Sequence, residues 1–296
     1  MKRPEIREDE DGRCYLDDVD VSDVFASLRS VGKNPTTCES YDDELQNIIF
    51  ILESAAGHAD MLRSGLYNSE EFLHMDGMTT EKVRHYLNNS CTGLVFSSGV
   101  KNYFEVGCAS GSTYISSNFN SGFNSSYVCD NFGVKKNGEN GKQIFLDNCE
   151  KYLKKHPENL IVDDCFSIDL DIFSEKINIY LFDGPHNIDH HEKALTYFED
   201  IFDDRVVIFI DDWNDHRVQF GTVLGLAKIN YDVEFWRYDR GNMHYCPFGV
   251  TIIPRCEVQM HHDPGRMSRG YSLNFGDYCR FGNGFMTLVL KKRDNK

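Results

Sequence analysis

A chain of 296 residues has room for one large α/β domain with an appendage, or for two small domains. With 41% hydrophobic and 13% aromatic residues and no apolar run near the roughly 18 residues of a spanning helix, the composition is that of a soluble globular protein outside the membrane. The net charge of −16 repels phosphate backbones and disfavours nucleic acid as a partner, unless a local basic groove overrides the average. Ten cysteines without a Cys-x-x-Cys pair read as free thiols of a reducing compartment. No apolar signal core lies between Met1 and Asp11, so the expected location is the cytoplasm.

Residues 1 to about 39 carry an acidic series (Glu8, Asp9, Glu10, Asp11, Asp17, Asp18, Asp20) without sustained periodicity and read as a solvated, partly flexible arm. From Tyr41 to about Leu66, apolar residues Leu45, Ile48, Ile49, Leu52, Ala55, Ala56 and Ala59 recur at helical spacing. That helix is expected to pack on the main domain or on a second subunit. A second helix follows, N-capped by Thr79 or Thr80, with Val83, Tyr86 and Leu87 as its apolar stripe. The boundaries divide the chain into an arm (1–39), a helical extension (40–99) and a main domain (100–296).

The most informative stretch is Tyr103-Phe104-Glu105-Val106-Gly107-Cys108-Ala109-Ser110-Gly111-Ser112-Thr113. It reads as a buried strand, a tight loop and the first turn of a helix, the place where α/β proteins hold nucleotide-like ligands. Gly107 and Gly111 allow close backbone approach, and Glu105 stands where a carboxylate could accept ribose hydroxyl protons. The loop lacks the Lys-Ser/Thr ending of a P-loop and does not fit Gly-x-Gly-x-x-Gly. A ligand with a ribose but no pyrophosphate is favoured.

From Val100 onward, strand and helix patterns alternate, the signature of a doubly wound α/β sheet. Strand candidates are Tyr103 to Val106, Ser126 to Cys129, Leu160 to Val162, Ile177 to Phe182, Val206 to Ile210, Val233 to Trp236 and Met286 to Leu290. Helix candidates are Ser112 to Asn118, Gly141 to Lys155, Asp189 to Phe202 and His216 to Ile229. Parallel strands joined by crossover helices bring their carboxyl ends to one edge. What collects at that edge is acidic: Asp130, then Asp163-Asp164-Cys165-Phe166, then Asp183-Gly184-Pro185-His186, then Asp211-Asp212-Trp213-Asn214. A single acid after a strand is commonly a turn or cap residue; four in register point to a site.

This combination, Glu105 to Thr113 with Asp130, Asp183 to His186 and Ile210 to Asn214, resembles class I S-adenosylmethionine-dependent methyltransferases. It is most similar to the metal-dependent macrocin- and novobiocin-type sugar O-methyltransferases, over roughly residues 80 to 296. The resemblance implies a seven-stranded, mostly parallel, Rossmann-like sheet whose last strand inserts antiparallel. It implies that Glu105, Gly107, Gly111 and Ser112 line the donor's methionine and ribose end, that Asp130 binds the ribose hydroxyls, and that Asp164, Cys165 and Phe166 border the adenine, with Asp183 also at the cofactor. It further implies a magnesium ion on Asp183, Asp211 and Asp212. Oxygen ligands suit that hard cation, and clustered carboxylates need its charge.

The sugar methyltransferase pattern has an acid two residues after the first metal Asp, whereas position 185 here is proline; His186 becomes the base candidate, ahead of His190 and His191. His261-His262-Asp263 reads as a solvated loop. The long segment from Arg237 to Phe285 suits a substrate-covering flap. The expected activity is O-methylation of a small molecule or sugar, with self-association through the N-terminal helices. An N- or C-methyltransferase acting on a peptide or other acceptor, and a non-catalytic nucleotide- or sulfonium-binding regulatory module, stand as alternatives.

Overall fold

The computed structural model describes residues 6–11, 13–24, 26, 42–61, 64, 79–99, 102–133, 140–213, 215–240 and 284–294. In chain order the elements are β1 (Ile6–Glu8), β2 (Cys14–Leu16), β3 (Val19–Asp20), α1 (Asp43–Asp60), α2 (Glu81–Ser98), β4 (Asn102–Val106) and α3 (Ser112–Asn118). There follow β5 (Ser125–Cys129), α4 (Gly141–Leu153), β6 (Asn159–Ile161), β7 (Ile177–Phe182), α5 (Ile188–Thr196), β8 (Phe202–Ile210), α6 (His216–Lys228), β9 (Tyr231–Arg240) and β10 (Gly284–Lys292). The main sheet has seven strands in the order β6-β5-β4-β7-β8-β10-β9. Strands β6, β5, β4 and β7 run parallel, and β10 is antiparallel to β9. The sheet is thus Rossmann-like, with the last strand in the chain inserted antiparallel before the last in space.

The chain divides into two compact units, one of residues 36–184 with 201–209, the other of residues 1–35, 185–200 and 210–296. In the first, β4 is buried at every position and β7 at all but one, so both are mostly apolar, broken by Asn102 and Glu105 in β4 and by Asn178 in β7. Edge strand β6 is half-buried throughout, and Val162, expected as its last residue, lies beyond it and is exposed. Helices α1 and α2 pair antiparallel, with Asn47 reaching the Ser97 carbonyl at one end and Lys82 paired with Asp60 at the other. Asp42 caps α1 by accepting the Leu45 N–H at 2.8 Å, and its other oxygen pairs with Arg205 Nη2 at 2.7 Å. Arg205 is nearly buried on β8 and also pairs with Glu44, which fastens the first turn of α1 to the sheet. Helix α1 ends at Asp60 rather than near Leu66, where the Met61 N–H closes the last turn on His58 and Ala59.

In the second unit, β9 and β10 form an antiparallel ladder from Gly284↔Arg240 to Lys292↔Tyr231, with a bulge between Val289 and Leu290. Residues 6–20, expected as an arm without periodicity, contain the antiparallel meander β1-β2-β3, with Cys14, Leu16, Val21 and Val24 buried and β3 beside α6. Strands of two or three residues are too short to impose a visible period on an acidic background. The helix expected from Asp189 to Phe202 stops at Thr196; a 3₁₀ turn at Glu199–Ile201 follows, and Phe202 opens β8. Residues 241–283, which include most of the expected flap and all of His261-His262-Asp263, lie outside the described residues.

Helices α5 and α6 meet closely at Gly221, where a Cβ would stand 2.3 Å from the Ile188 carbonyl oxygen and 2.6 Å from His191 Cβ. Alanine at a free helical position gains up to about 1 kcal/mol over glycine, whereas overpacking costs about 1–3 kcal/mol. Gly57→Ala on α1, with nothing within 4 Å of its Cβ, is therefore expected to raise the melting temperature, and Gly221→Ala to lower it. Thermal unfolding of both variants checks this; a stabilised Gly221→Ala would refute the close contact.

Candidate functional site

The first unit carries the glycine loop. Gly107 leaves β4 with φ +87°, a left-handed conformation, and a Cβ there would stand 1.9 Å from the Asp183 carbonyl oxygen. Three backbone bonds carry the ladder one residue past the strand ends: Gly107 N–H to Cys129 O at 2.9 Å, Asp183 N–H to Val106 O at 2.9 Å, and Asp130 N–H to Ile161 O at 3.1 Å. The loop itself is pinned by the Gly111 N–H on Cys108 O at 2.7 Å, by Asn148 Nδ2 on Ser110 O at 2.8 Å, and by the Ala109 N–H on Asp130 Oδ2 at 2.8 Å. Asn148 was not legible as a loop partner, because it sits 38 residues from Ser110 on a separate helix.

Asp130 is half-buried, and its Oδ1 accepts the Phe132 N–H at 2.7 Å. Each carboxylate oxygen has a second lone pair, so Asp130 can also accept two vicinal hydroxyl protons. Asp164 is exposed and caps the turn Cys165–Ser167 by accepting the Phe166 N–H at 2.9 Å. Burial pushes the Cys165 thiol up to about 12, so at neutral pH it is a neutral wall and not a thiolate. The Phe166 ring is half-buried, tilted at 6.5 Å from Phe182.

Two residues expected at a cofactor are committed elsewhere. Ser112 is buried and its hydroxyl donates to Thr79 Oγ1 at 3.0 Å, tying α3 to the chain segment before α2. Glu105 has 0% exposure, with Oε1 accepting from Thr113 Oγ1 at 2.5 Å and Oε2 from the Tyr103 hydroxyl. Its expected role as a ribose acceptor is corrected by this burial: the side chain points into the layer under α3, away from the loop's open face. Asp183 is half-buried after β7.

The second unit holds an acid–imidazole group. Asp211 follows β8 with 4% exposure, and its Oδ1 accepts the Asp212 N–H at 2.9 Å. Burial first, then the Asp212 charge, push the Asp211 carboxyl up to about 7. His186 Nε2 lies 2.7 Å from Asp212 Oδ2. The hydrogen bond to Asp212 raises the imidazole pKa against the opposing effect of burial, and the charges of Asp212, Asp215 and Asp211 add to it. His191 is corrected as a base candidate: it is 2% exposed, and burial with the His186 charge lowers it to about 3. Asp215 caps α6 through the Arg217 N–H at 2.8 Å and pairs with the Arg217 guanidinium. The turn after Asp212 is pinned by the Trp213 N–H on Gly284 O at 2.8 Å and by Gln219 Nε2 on Trp213 O at 2.5 Å. Asn214 lies outside the described residues.

No protein-family model matches the chain, and no curated protein matches it. Solved structures with a similar course of the chain include the O-methyltransferase from Bacillus cereus in complex with SAH, at 11% identity, covering 90% of this chain and 99% of that one with a TM-score of 0.42. The O-methyltransferase TomG from Streptomyces achromogenes, involved in tomaymycin synthesis and solved with SAM, matches at 10% identity over 92% of this chain and 96% of that one, TM-score 0.42. A ribosomal protein L11 methylase from Lactobacillus delbrueckii subsp. bulgaricus matches at 9% identity over 71% and 79%, TM-score 0.39. Among the described residues no helix is long and apolar enough to cross a membrane.

The Asp211 shift has a sign that can be measured. Its folded value of about 7 lies above the roughly 3.9 of an unfolded aspartate, so between those values the native state holds the extra proton. Its contribution to stability is therefore full below pH about 4 and declines as pH rises to about 7. Melting temperature against pH, without divalent cation, is expected to lose this downward slope in Asp211→Asn. An identical slope in the variant counts against a buried, proton-retaining Asp211.

Proposed function

We propose that this chain is a class I S-adenosylmethionine-dependent methyltransferase that methylates a hydroxyl oxygen of a small molecule or sugar, assisted by Mg²⁺, in the cytoplasm. The observation that carries the reading is the glycine loop held against Asp130. The Ala109 N–H fixes one carboxylate oxygen and the Phe132 N–H the other, leaving lone pairs for a vicinal diol. A ribose-bearing donor without a pyrophosphate suits a loop that lacks a P-loop lysine.

His186 and Asp212 supply the proton chemistry. An imidazole whose Nε2–H donates to Asp212 carries its lone pair at Nδ1, so the hydroxyl proton passes to Nδ1 and Asp212 steadies the imidazolium. Bound S-adenosylmethionine would supply the methyl group, its sulfur keeping the electron pair of the S–CH₃ bond as S-adenosylhomocysteine forms. Positioning and desolvation contribute the remainder of the rate.

Asp183 after β7 and Asp211 and Asp212 after β8 are acids of the oxygen-donor type that a hard cation takes. Burial and the adjacent Asp212 charge raise the Asp211 pKa, and a cation's charge would oppose that shift. Mg²⁺ on Asp183, Asp211 and Asp212 would neutralise these acids and acidify a hydroxyl at that place. In its acceptor the reading stays nearest to the macrocin/novobiocin-type sugar O-methyltransferases.

Titration calorimetry with S-adenosylhomocysteine tests the donor site: binding is expected, and Asp130→Ala is expected to weaken it about 10-fold or more. Absence of binding by the unaltered chain ends the reading. With an accepted hydroxyl substrate, His186→Gln should lower turnover by roughly 10²–10⁴-fold at unchanged S-adenosylhomocysteine affinity. A chelator that leaves turnover undiminished removes the magnesium.

A further inference from the structure

Glu105 is the one acid of the glycine stretch that no solvent reaches. It sits on β4 two residues before Gly107, and Thr113 sits two residues after Gly111, in the first turn of α3. The 2.5 Å bond from Thr113 Oγ1 to Glu105 Oε1 therefore closes strand to helix across the whole loop. Oε2 takes the Tyr103 hydroxyl, whose oxygen in turn lies 3.1 Å from Ser117 Oγ one turn further along α3. The Tyr103 ring is held by stacking on Phe123 with centroids 5.1 Å apart. By contrast Asp130, on the other side of the loop, is only half-buried and bonds the loop backbone directly. Two acids thus grip one loop from opposite sides, and only one of them opens to solvent.

We infer that Glu105, with Thr113 and Tyr103, is a positioning group: a buried brace that sets the backbone of residues 107–111 in its ligand-accepting conformation without itself touching the ligand. A buried carboxylate requires strong donors, and two hydroxyls from the strand and helix that flank the loop supply them. Removing one donor exposes the carboxylate to an unsatisfied position and frees the helix start from the strand, so the loop amides lose their fixed geometry. The affinity part of the test rests on the S-adenosylmethionine reading above; the dynamic part does not.

The variants are Thr113→Val, Thr113→Ser, Glu105→Gln and Glu105→Ala in the full chain. Two readouts apply: hydrogen exchange at the Ala109 and Gly111 amides without ligand, and calorimetric affinity for S-adenosylhomocysteine. Thr113→Val is expected to speed exchange at both amides and to weaken binding about 10-fold, because it deletes one bond to a charged group. Thr113→Ser, which keeps the hydroxyl, restores both. Glu105→Gln, whose amide oxygen can still accept from Thr113, stays within about 3-fold of the parent in affinity, while Glu105→Ala does not. A Glu105→Gln loss as deep as that of Glu105→Ala, with exchange unchanged, overturns the brace in favour of direct ligand contact. If the parent chain fails to bind S-adenosylhomocysteine, the functional reading falls, and unchanged exchange in Thr113→Val alone then overturns the brace. Should Glu105→Ala not fold, the Thr113 pair and Glu105→Gln decide the matter.

Discussion

The parallel ladder does not stop where the strands do. Gly107, Asp130 and Asp183 each donate their N–H to the last residue of a neighbouring strand, so three chain exits leave the sheet in step. Everything that carries chemistry in the first unit follows from that constraint. The approach is tight enough at Gly107 that the Asp183 carbonyl occupies the space of a Cβ. A side chain at position 107 would have to part β4 from β7, and the loop, Asp130 and Asp183 would no longer share an edge.

Placing so many carboxylates together raises a cost that the molecule meets in different ways. Glu105 is surrounded by hydroxyl donors, Arg205 draws Asp42 and Glu44 to the sheet, and Asp215 caps a helix while pairing with Arg217. Asp211, by contrast, shows its cost as a raised pKa, with burial the larger cause and the adjacent Asp212 charge the next. The groups with satisfied charges are structural. The His186–Asp212 pair lies in the same unit as the buried Asp211.

The sheet was legible because its strands are buried on both faces: largely apolar segments such as Ile177 to Phe182, interrupted only at Asn178, leave no competing period, and that strand's bounds match. The turn glycines and the edge acids were legible for the same reason, since each stands where a long apolar run stops. What the sequence hides is direction. Glu105 and Asp130 are both acids near the same loop, and nothing in their spacing tells that one points under α3 and the other toward the loop. The β1-β2-β3 meander is hidden by brevity, and the long pairing of Asn148 with Ser110 by separation.

Backbone strain links these acids to the loops they serve. Ala109, Phe132 and Asp212 take left-handed φ values of 47°, 44° and 52°, where a residue with a side chain is disfavoured. All three follow sheet strands, and in all three the N–H is held by an aspartate: Ala109 and Phe132 by Asp130, Asp212 by Asp211. A strained residue of this kind costs about 1–3 kcal/mol, and a hydrogen bond to a charged group returns about 1.5–3 kcal/mol. The two are of equal size, so each turn keeps its shape only while its aspartate is in place and ionised or hydrogen-bonded. The acids at the sheet edge are thus part of the backbone's own support. An aspartate removed from this edge takes the conformation of its loop with it, which is why loss of ligand binding and loss of loop order should be inseparable at Asp130 and separable at His186.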